Sequence, residues 1–293
     1  MEQHNRFWRI ALLAAPLAVF GVFVIWPLVS SFYYSVTDWN GFDPDYQFVG
    51  LSNFAKIASD RLFLQAAVNT SLWMAAAIVL PTSLGLLLAL LLDSRVLGAR
   101  VFKSIFYLPI CLSAVIVGQI WTWIYQPDWG LLNTVITQVS GEKFKYAWLA
   151  KPDTALWSVI VAWSWQQTGL AMVIYLAGLT SIPGDLLEVA EIEGATQWQR
   201  FREVVLPLLA PSTVVVVALS VVNSLKGFDI LYIMTGGGPF NSSETLAMHM
   251  YNESFKKYLM GYGAAISVVL FGVAMAIIGL YFRQLRKVDR IYG

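Results

Sequence analysis

Cysteine and histidine are almost missing from this 293-residue chain. There is one cysteine, Cys111, set in an apolar run, so no disulfide framework or zinc cluster can be built within the chain. The two histidines, His4 and His249, lie too far apart to form a motif. Charge is scarce too, at 13% of residues, and nearly cancels: 19 Lys and Arg stand against 18 Asp and Glu. A chain with a net charge of +1 has no basic field to hold nucleic acid and no acidic tail. No Gly-x-x-x-x-Gly-Lys-Ser/Thr phosphate loop occurs, because Gly236–Gly238 run into Pro239 without a lysine, and there is no His-Glu-x-x-His pair. ATP hydrolysis and zinc hydrolase chemistry therefore have no visible support in this chain. Low-complexity tracts and strong internal repeats are lacking as well.

What the chain has in excess is apolar surface. Hydrophobic residues make up 58% of it, against roughly 45–50% in soluble domains, more than one globular core can hide. A membrane-spanning helix needs about 20 predominantly apolar residues. Six stretches qualify, near residues 10–36, 66–92, 102–126, 155–181, 207–234 and 262–282. The first follows Arg6 and Arg9 like a signal peptide, but it is too long for one and is interrupted by Pro16 and Pro27, so it is expected to be a retained helix. The expected architecture is an all-α polytopic membrane protein with six transmembrane helices, a single domain over residues 1–293.

With six spans the two termini share a side. Eleven basic residues fall on that side: Arg6, Arg9, Arg95, Arg100, Lys103, Arg200, Arg202, Arg283, Arg286, Lys287 and Arg290. Seven, spread over longer loops, fall on the other: Lys56, Arg61, Lys143, Lys145, Lys151, Lys256 and Lys257. Positive charge marks the cytoplasmic face, so both termini are expected there.

The cytoplasmic loop 183–206 is too patterned for a tether. Asp185 followed by Glu188 reads as a variant capping box, and Gly194 as a helix stop able to take positive φ. Leu186, Val189, Ala190 and Glu193 fall at helical spacing and give a mostly apolar face. A helix this short needs something to dock against, either the lipid headgroups or a partner protein. A second helix begins after Gly194 and runs toward Pro207, where the fifth span is expected to start.

Within the spans, polar groups mark either helix packing or a wet path. Ser220, Asn223, Ser224 and Gly227 fall at i, i+3, i+4 and i+7 on one face of the fifth span. Small and polar residues at this spacing serve close helix packing or line a route for a hydroxylated substrate, and the pattern fits both. The fourth span adds Trp163, Trp165, Gln166 and Gln167. Indole faces stack on sugar rings and amides satisfy hydroxyls, so Trp165 and Gln166 are the expected lining residues. Lys226 and Asp229, three apart, form a self-neutralising pair; in an ion-coupled transporter or channel, the alternative reading, they would mark an ion pathway.

Glu188, Ala190, Gly194, Val204, Leu206 and Pro207 match the Glu-Ala-Ala cytoplasmic loop of permease subunits of ATP-binding cassette (ABC) importers, with Val189 where alanine is usual. Thr235-Gly-Gly-Gly-Pro239, then Thr245 and Phe255, resembles the outer loop of the first of the two permeases in the maltose and glycerol-phosphate systems. The resemblance covers nearly the whole chain. It implies the type I ABC importer permease fold in a bacterial inner membrane and a subunit that is not itself an enzyme. The implied partners are a second, similar permease, a dimer of ATPase subunits that bind ATP and Mg, and an extracytoplasmic solute-binding protein delivering a carbohydrate or polyol phosphate. It also implies coupling through Glu188, Ala190, Gly194, Leu206 and Pro207, with Glu188 meeting a basic residue of the ATPase, and import by alternating access. No cofactor is expected in the chain itself.

Overall fold

The computed structural model describes residues 12–93, 98–225 and 227–292, with side chains to 279 and at 281 and 283 in the last helix. Thirteen helices appear among the described residues: α1 (Leu12–Tyr34), α2 (Ser52–Ser59), α3 (Arg61–Asp93), α4 (Ala99–Tyr107), α5 (Ala114–Ile124), α6 (Leu131–Ser140), α7 (Pro152–Thr180), α8 (Gly184–Ile192), α9 (Gln197–Leu208), α10 (Ala210–Leu225), α11 (Phe228–Met234), α12 (Leu246–Tyr251) and α13 (Met260–Tyr292). The β structure of the described residues is a single bridge between Thr37 and Phe48.

Four of the expected spans are continuous helices, carried by α1, α3, α7 and α13. The other two are bent. The third expected span breaks at Leu112–Ser113, where α4, continued by the 3-10 turn Leu108–Cys111, meets α5 at 107°. Pro109 tightens that turn, and the Ser113 side chain caps α5 by accepting from the Ile116 amide at 3.3 Å. The fifth does not begin at Pro207, which lies inside α9. The turn comes after Leu208, where α9 and α10 meet at 63°, and the helix breaks again beyond Leu225 before α11.

The chain divides into two compact units. The first comprises the described part of Met1–Leu64 with His249–Ala274. Asn53 ties its loop by donating to the Ser35 and Thr37 carbonyls, and Gly261 N–H donates to Trp39. The second comprises Gln65–Met248 with Met275 onward. Its centre is α7, which buries residues on most of its circumference and leaves Trp157, Val161 and Trp165 exposed along one stripe. Trp163 packs on Trp73 of α3, with Val159, Ile160, Ile230 and Leu231 around them. A second cluster joins Ala89, Met172, Tyr175, Leu209 and Val216 toward the α8 end of α7.

Candidate functional site: the cytoplasmic loop and the polar cleft

The loop after α7 is built from local signals. Helix α8 starts at Gly184 with Pro183 before it and no side-chain cap, so Asp185 does not close a capping box with Glu188. Asp185 lies inside the first turn instead, where its charge favours the positive end of the helix. The C-terminus closes as a Schellman motif: Ala195 N–H donates to Ala190 O at 3.0 Å and Gly194 N–H to Glu191 O at 3.1 Å. Gly194 takes φ +81°, as its position in the motif demands, and a Cβ there would meet nothing within 4 Å. The demand for glycine is thus conformational within this chain. The box that sequence patterning missed is one helix later: Thr196 and Gln199 cap α9 reciprocally, the S/T-x-x-Q signature in plain form.

Of the expected coupling residues, Ala190 is buried and anchors α8, while Glu188 is exposed and has no partner among the described residues. Leu186, Val189, Ile192 and Trp198 are exposed, with Ile192 at 85%. Arg200 lies 3.7 Å from Glu191, tying α9 to α8. Leu206 is exposed and Pro207 half-buried, just before the α9–α10 bend. The loop therefore offers an apolar surface and a free carboxylate on a rigid two-helix frame.

The residues expected along the path fall into three places. Ser220 and Asn223 of α10 face α7, where Asn223 Nδ2 donates to Gln167 Oε1 at 3.3 Å, and the three border a narrow cleft with Leu170 and Leu219. Ser224 and Gly227 turn instead to α3: Trp73 Nε1 donates to the Ser224 carbonyl at 3.1 Å, and a Cβ on Gly227 would stand 2.8 Å from the indole. Trp165 and Gln166, expected to line the path, do not meet this face, because successive helical residues point about 100° apart. Gln166 is buried and donates to Leu112 O at 2.8 Å, satisfying a carbonyl freed at the α4–α5 break. Trp165 meets Trp121 edge-on at 5.9 Å and lines an apolar cavity. Gln167 is the amide that reaches α10. Of the ion-pathway pair, Lys226 lies outside the described residues, and Asp229 is exposed in the first turn of α11.

The loop between α11 and α12 is fixed by its own bonds. Asn69 of α3 donates to both the Ser242 and Glu244 carbonyls, and Ser243 Oγ donates to Gly238 O at 2.7 Å. Gly236, Gly237, Phe240 and Asn241 all have positive φ. Thr245 is buried beneath the loop. In the other unit, Phe255 is exposed, and Asp60 accepts from Tyr262 Oη at 2.7 Å and from the Leu62 amide at 2.9 Å, with His249 Nε2 at 3.7 Å. Burial alone would raise the Asp60 carboxyl, but these hydrogen bonds and the imidazole outweigh it and hold it below the ordinary carboxylate value.

Residues 81–288 match the family of binding-protein-dependent transport system inner membrane components. The chain belongs to this family. Among its relatives, a probable ABC transporter permease of Pyrococcus horikoshii is 38% identical over 92% of both chains. A probable starch degradation products transport permease of Thermoanaerobacterium thermosulfurigenes is 33% identical over 97% of both. In fold, the chain is similar to one in the crystal structure of a bacterial alginate ABC transporter in complex with alginate pentasaccharide-bound periplasmic protein, with a TM-score of 0.84, 21% identity, and 98% and 97% of the two chains covered. This is the all-helical fold of an ABC importer permease, a multi-pass protein of the cell membrane. In this inner membrane component, the family match takes in the loop with Glu188 and Gly194, the α7–α10 cleft and the glycine-rich loop.

Proposed function

We propose that this permease passes a carbohydrate (a sugar, oligosaccharide or polyol phosphate) across the membrane by alternating access, driven by a separate ATPase. The observation that carries the reading is the cytoplasmic loop: a helix pair that leaves Val189, Ile192 and the Glu188 carboxylate exposed, with no partner for that carboxylate among the described residues. A cleft on an ATPase subunit supplies both, an apolar seat for Val189 and Ile192 and a basic group for Glu188. In this reading Ala190, Leu206 and Pro207 hold the loop against α10, so that closure of an ATP- and Mg-loaded ATPase dimer moves the helices that enclose the path. A second, similar permease completes the enclosure, and a solute-binding protein delivers substrate from the far side. The carbohydrate class rests on relatives named for starch degradation products and for diacetylchitobiose uptake. The cleft chemistry supports it, because Gln167 and Asn223 can each donate and accept toward hydroxyl groups, with Ser220 beside them.

Reconstitution with the neighbouring transport components tests this. Glu188→Lys should abolish substrate uptake and ATPase co-purification while membrane insertion is unchanged; normal uptake refutes the docking role. Gln167→Ala should weaken uptake at fixed ATPase assembly; unchanged uptake and substrate affinity would return the cleft to helix packing.

A further inference from the structure

The cavity that Trp165 lines is unsuited to a sugar. It measures about 410 Å³, within the range of small-molecule sites. Leu84 and Leu87 of α3, Phe106 of α4, Trp121 of α5, and Val161 and Trp165 of α7 form most of its wall, with Ser164 and Thr168 of α7 as its hydroxyl-bearing residues. Two serine and threonine hydroxyls cannot replace the hydration of a polyhydroxylated ring, most of whose hydroxyls would be buried against carbon without a hydrogen bond. Leu84, Leu87, Phe106 and Trp165 are exposed, so the cavity is open at its side. It also reaches toward the cytoplasmic end of the spans, since Leu87 stands six residues before the end of α3 at Asp93.

Helix α4 adds a second feature. Lys103 and Arg100 stand three and six residues before Phe106, on successive turns toward its N-terminus, about 4.5 and 9 Å down the helix axis. Neither has an ion-pair partner among the described residues. Both belong to the loop side that positive charge marks as cytoplasmic. Val101, Phe102 and Ile105 of the same helix are exposed, so α4 presents apolar and basic residues together, the composition of a helix seated at a headgroup boundary.

We propose that this site binds one anionic phospholipid of the cytoplasmic leaflet, with an acyl tail in the cavity and the phosphate on Lys103 and Arg100. The occupant is set by the combination of a mostly apolar wall inside the spans and two cations at the membrane surface with no ion-pair partner among the described residues. A lipid held here braces α4 against α3 and α7 beside the 107° bend, and so ties the stability of that bend to membrane composition. The inference does not depend on the substrate class.

The test is lipid retention. The protein is purified with its native partners from membranes containing phosphatidylglycerol and phosphatidylethanolamine, and retained lipid is quantified by mass spectrometry. Wild type should keep phosphatidylglycerol preferentially. Arg100→Gln with Lys103→Gln should lose it about fivefold for each charge removed. Val161→Trp, or Leu84→Phe should the tryptophan variant not assemble, should lose it with both charges intact. Equal retention in all variants overturns the proposal. So does efficient cross-linking of Leu84→Cys, in a Cys111→Ser background, to the second permease in the native membrane, because the cavity would then be filled by protein.

Discussion

Replacing Gly194 separates what the backbone requires from what a docking partner requires. The residue closes the Schellman motif at φ +81°, and a Cβ there meets nothing within 4 Å among the described residues. Alanine therefore adds no clash within the chain. Its cost is that of holding an L-residue in the left-handed region, about 1 kcal/mol, or roughly a fivefold smaller population of the intact turn. Asparagine visits that region readily, whereas β-branched valine is a true outlier there. Backbone demand thus orders the variants Gly, Asn, Ala, Val. Space in an ATPase cleft orders them by volume, with alanine ahead of asparagine. The assay is ATP hydrolysis stimulated by the binding protein, together with substrate uptake, in proteoliposomes. Coupled activity should fall about fivefold for Gly194→Ala, stay near wild type for Gly194→Asn, and fall further for Gly194→Val, with unchanged insertion and subunit assembly. An asparagine variant worse than the alanine variant refutes the conformational account and places the constraint in the partner's cleft.

Gly227→Ala should destabilise the bundle by about 1–3 kcal/mol, the usual cost of overpacking, because its Cβ would stand 2.8 Å from the Trp73 ring, which is buried and held by its bond to Ser224; a thermal unfolding midpoint in detergent equal to wild type removes this contact from the account. Asn69→Ala strips the donor from two carbonyls of the glycine-rich loop and should expose that loop to limited proteolysis while α3 remains intact; an unchanged cleavage pattern counts against the clamp. Asp60 has a folded pKa below its ordinary 3.8, so its ionised form stabilises the fold above that pH, and the contribution disappears as pH falls through the lower folded value. Asp60→Asn should therefore unfold more easily than wild type at pH 6, and the gap should close as pH drops below 3.8; a constant gap across that range refutes the linkage.

Hydropathy marked stretches that the structure builds as four continuous helices and two bent pairs, because burial in lipid and burial in a helix bundle select the same side chains. It could not show that two of them bend. Leu112–Ser113 and the α9–α10 junction lie within apolar runs, and what breaks the helix is Pro109 with the Ser113 cap at the first and Pro211, which has no N–H for the Pro207 carbonyl, at the second. The path residues show the same limit. Spacing placed Ser220, Asn223, Ser224 and Gly227 on one face, but a helix face is wide enough for its two edges to meet different neighbours, here Gln167 and Trp73. Choosing between Gln166 and Gln167 needed the position of Leu112, which only the bend supplies. The loop after α7 carries local signals, and they were read only in part: Gly194, expected as a helix stop, acts through its own φ, whereas the Thr196–Gln199 box that caps α9 is equally local and was missed. There the error over Asp185 was one of register, since Pro183 moves the helix start ahead of it.

These placements bear on how motion could cross the membrane. Helix α10 has 16 residues and is bounded by a break at each end, the 63° bend at Leu209 and the interruption after Leu225. Each break removes the intrahelical hydrogen bonds that would make the fifth span a single rod. The segment between them, about 24 Å long, carries Ser220 and Asn223. The loop bearing Glu188 is stiffened by the Schellman motif, the Thr196 box and the Arg200–Glu191 pair, so it can transmit a displacement rather than absorb it. At the other end Trp73 holds the Ser224 carbonyl and crowds Gly227. A push on the loop therefore acts on a short, jointed rod that is held at its outer end and meets α7 through Val216, clustered with Met172 and Tyr175, and through the Tyr175–Thr213 and Asn223–Gln167 hydrogen bonds. The Gln167–Asn223 hydrogen bond, at 3.3 Å, borders the cleft and is one that tilting of α10 would part. Substrate hydroxyls that replace this bond in one orientation and not the other would give the differential binding that alternating access requires.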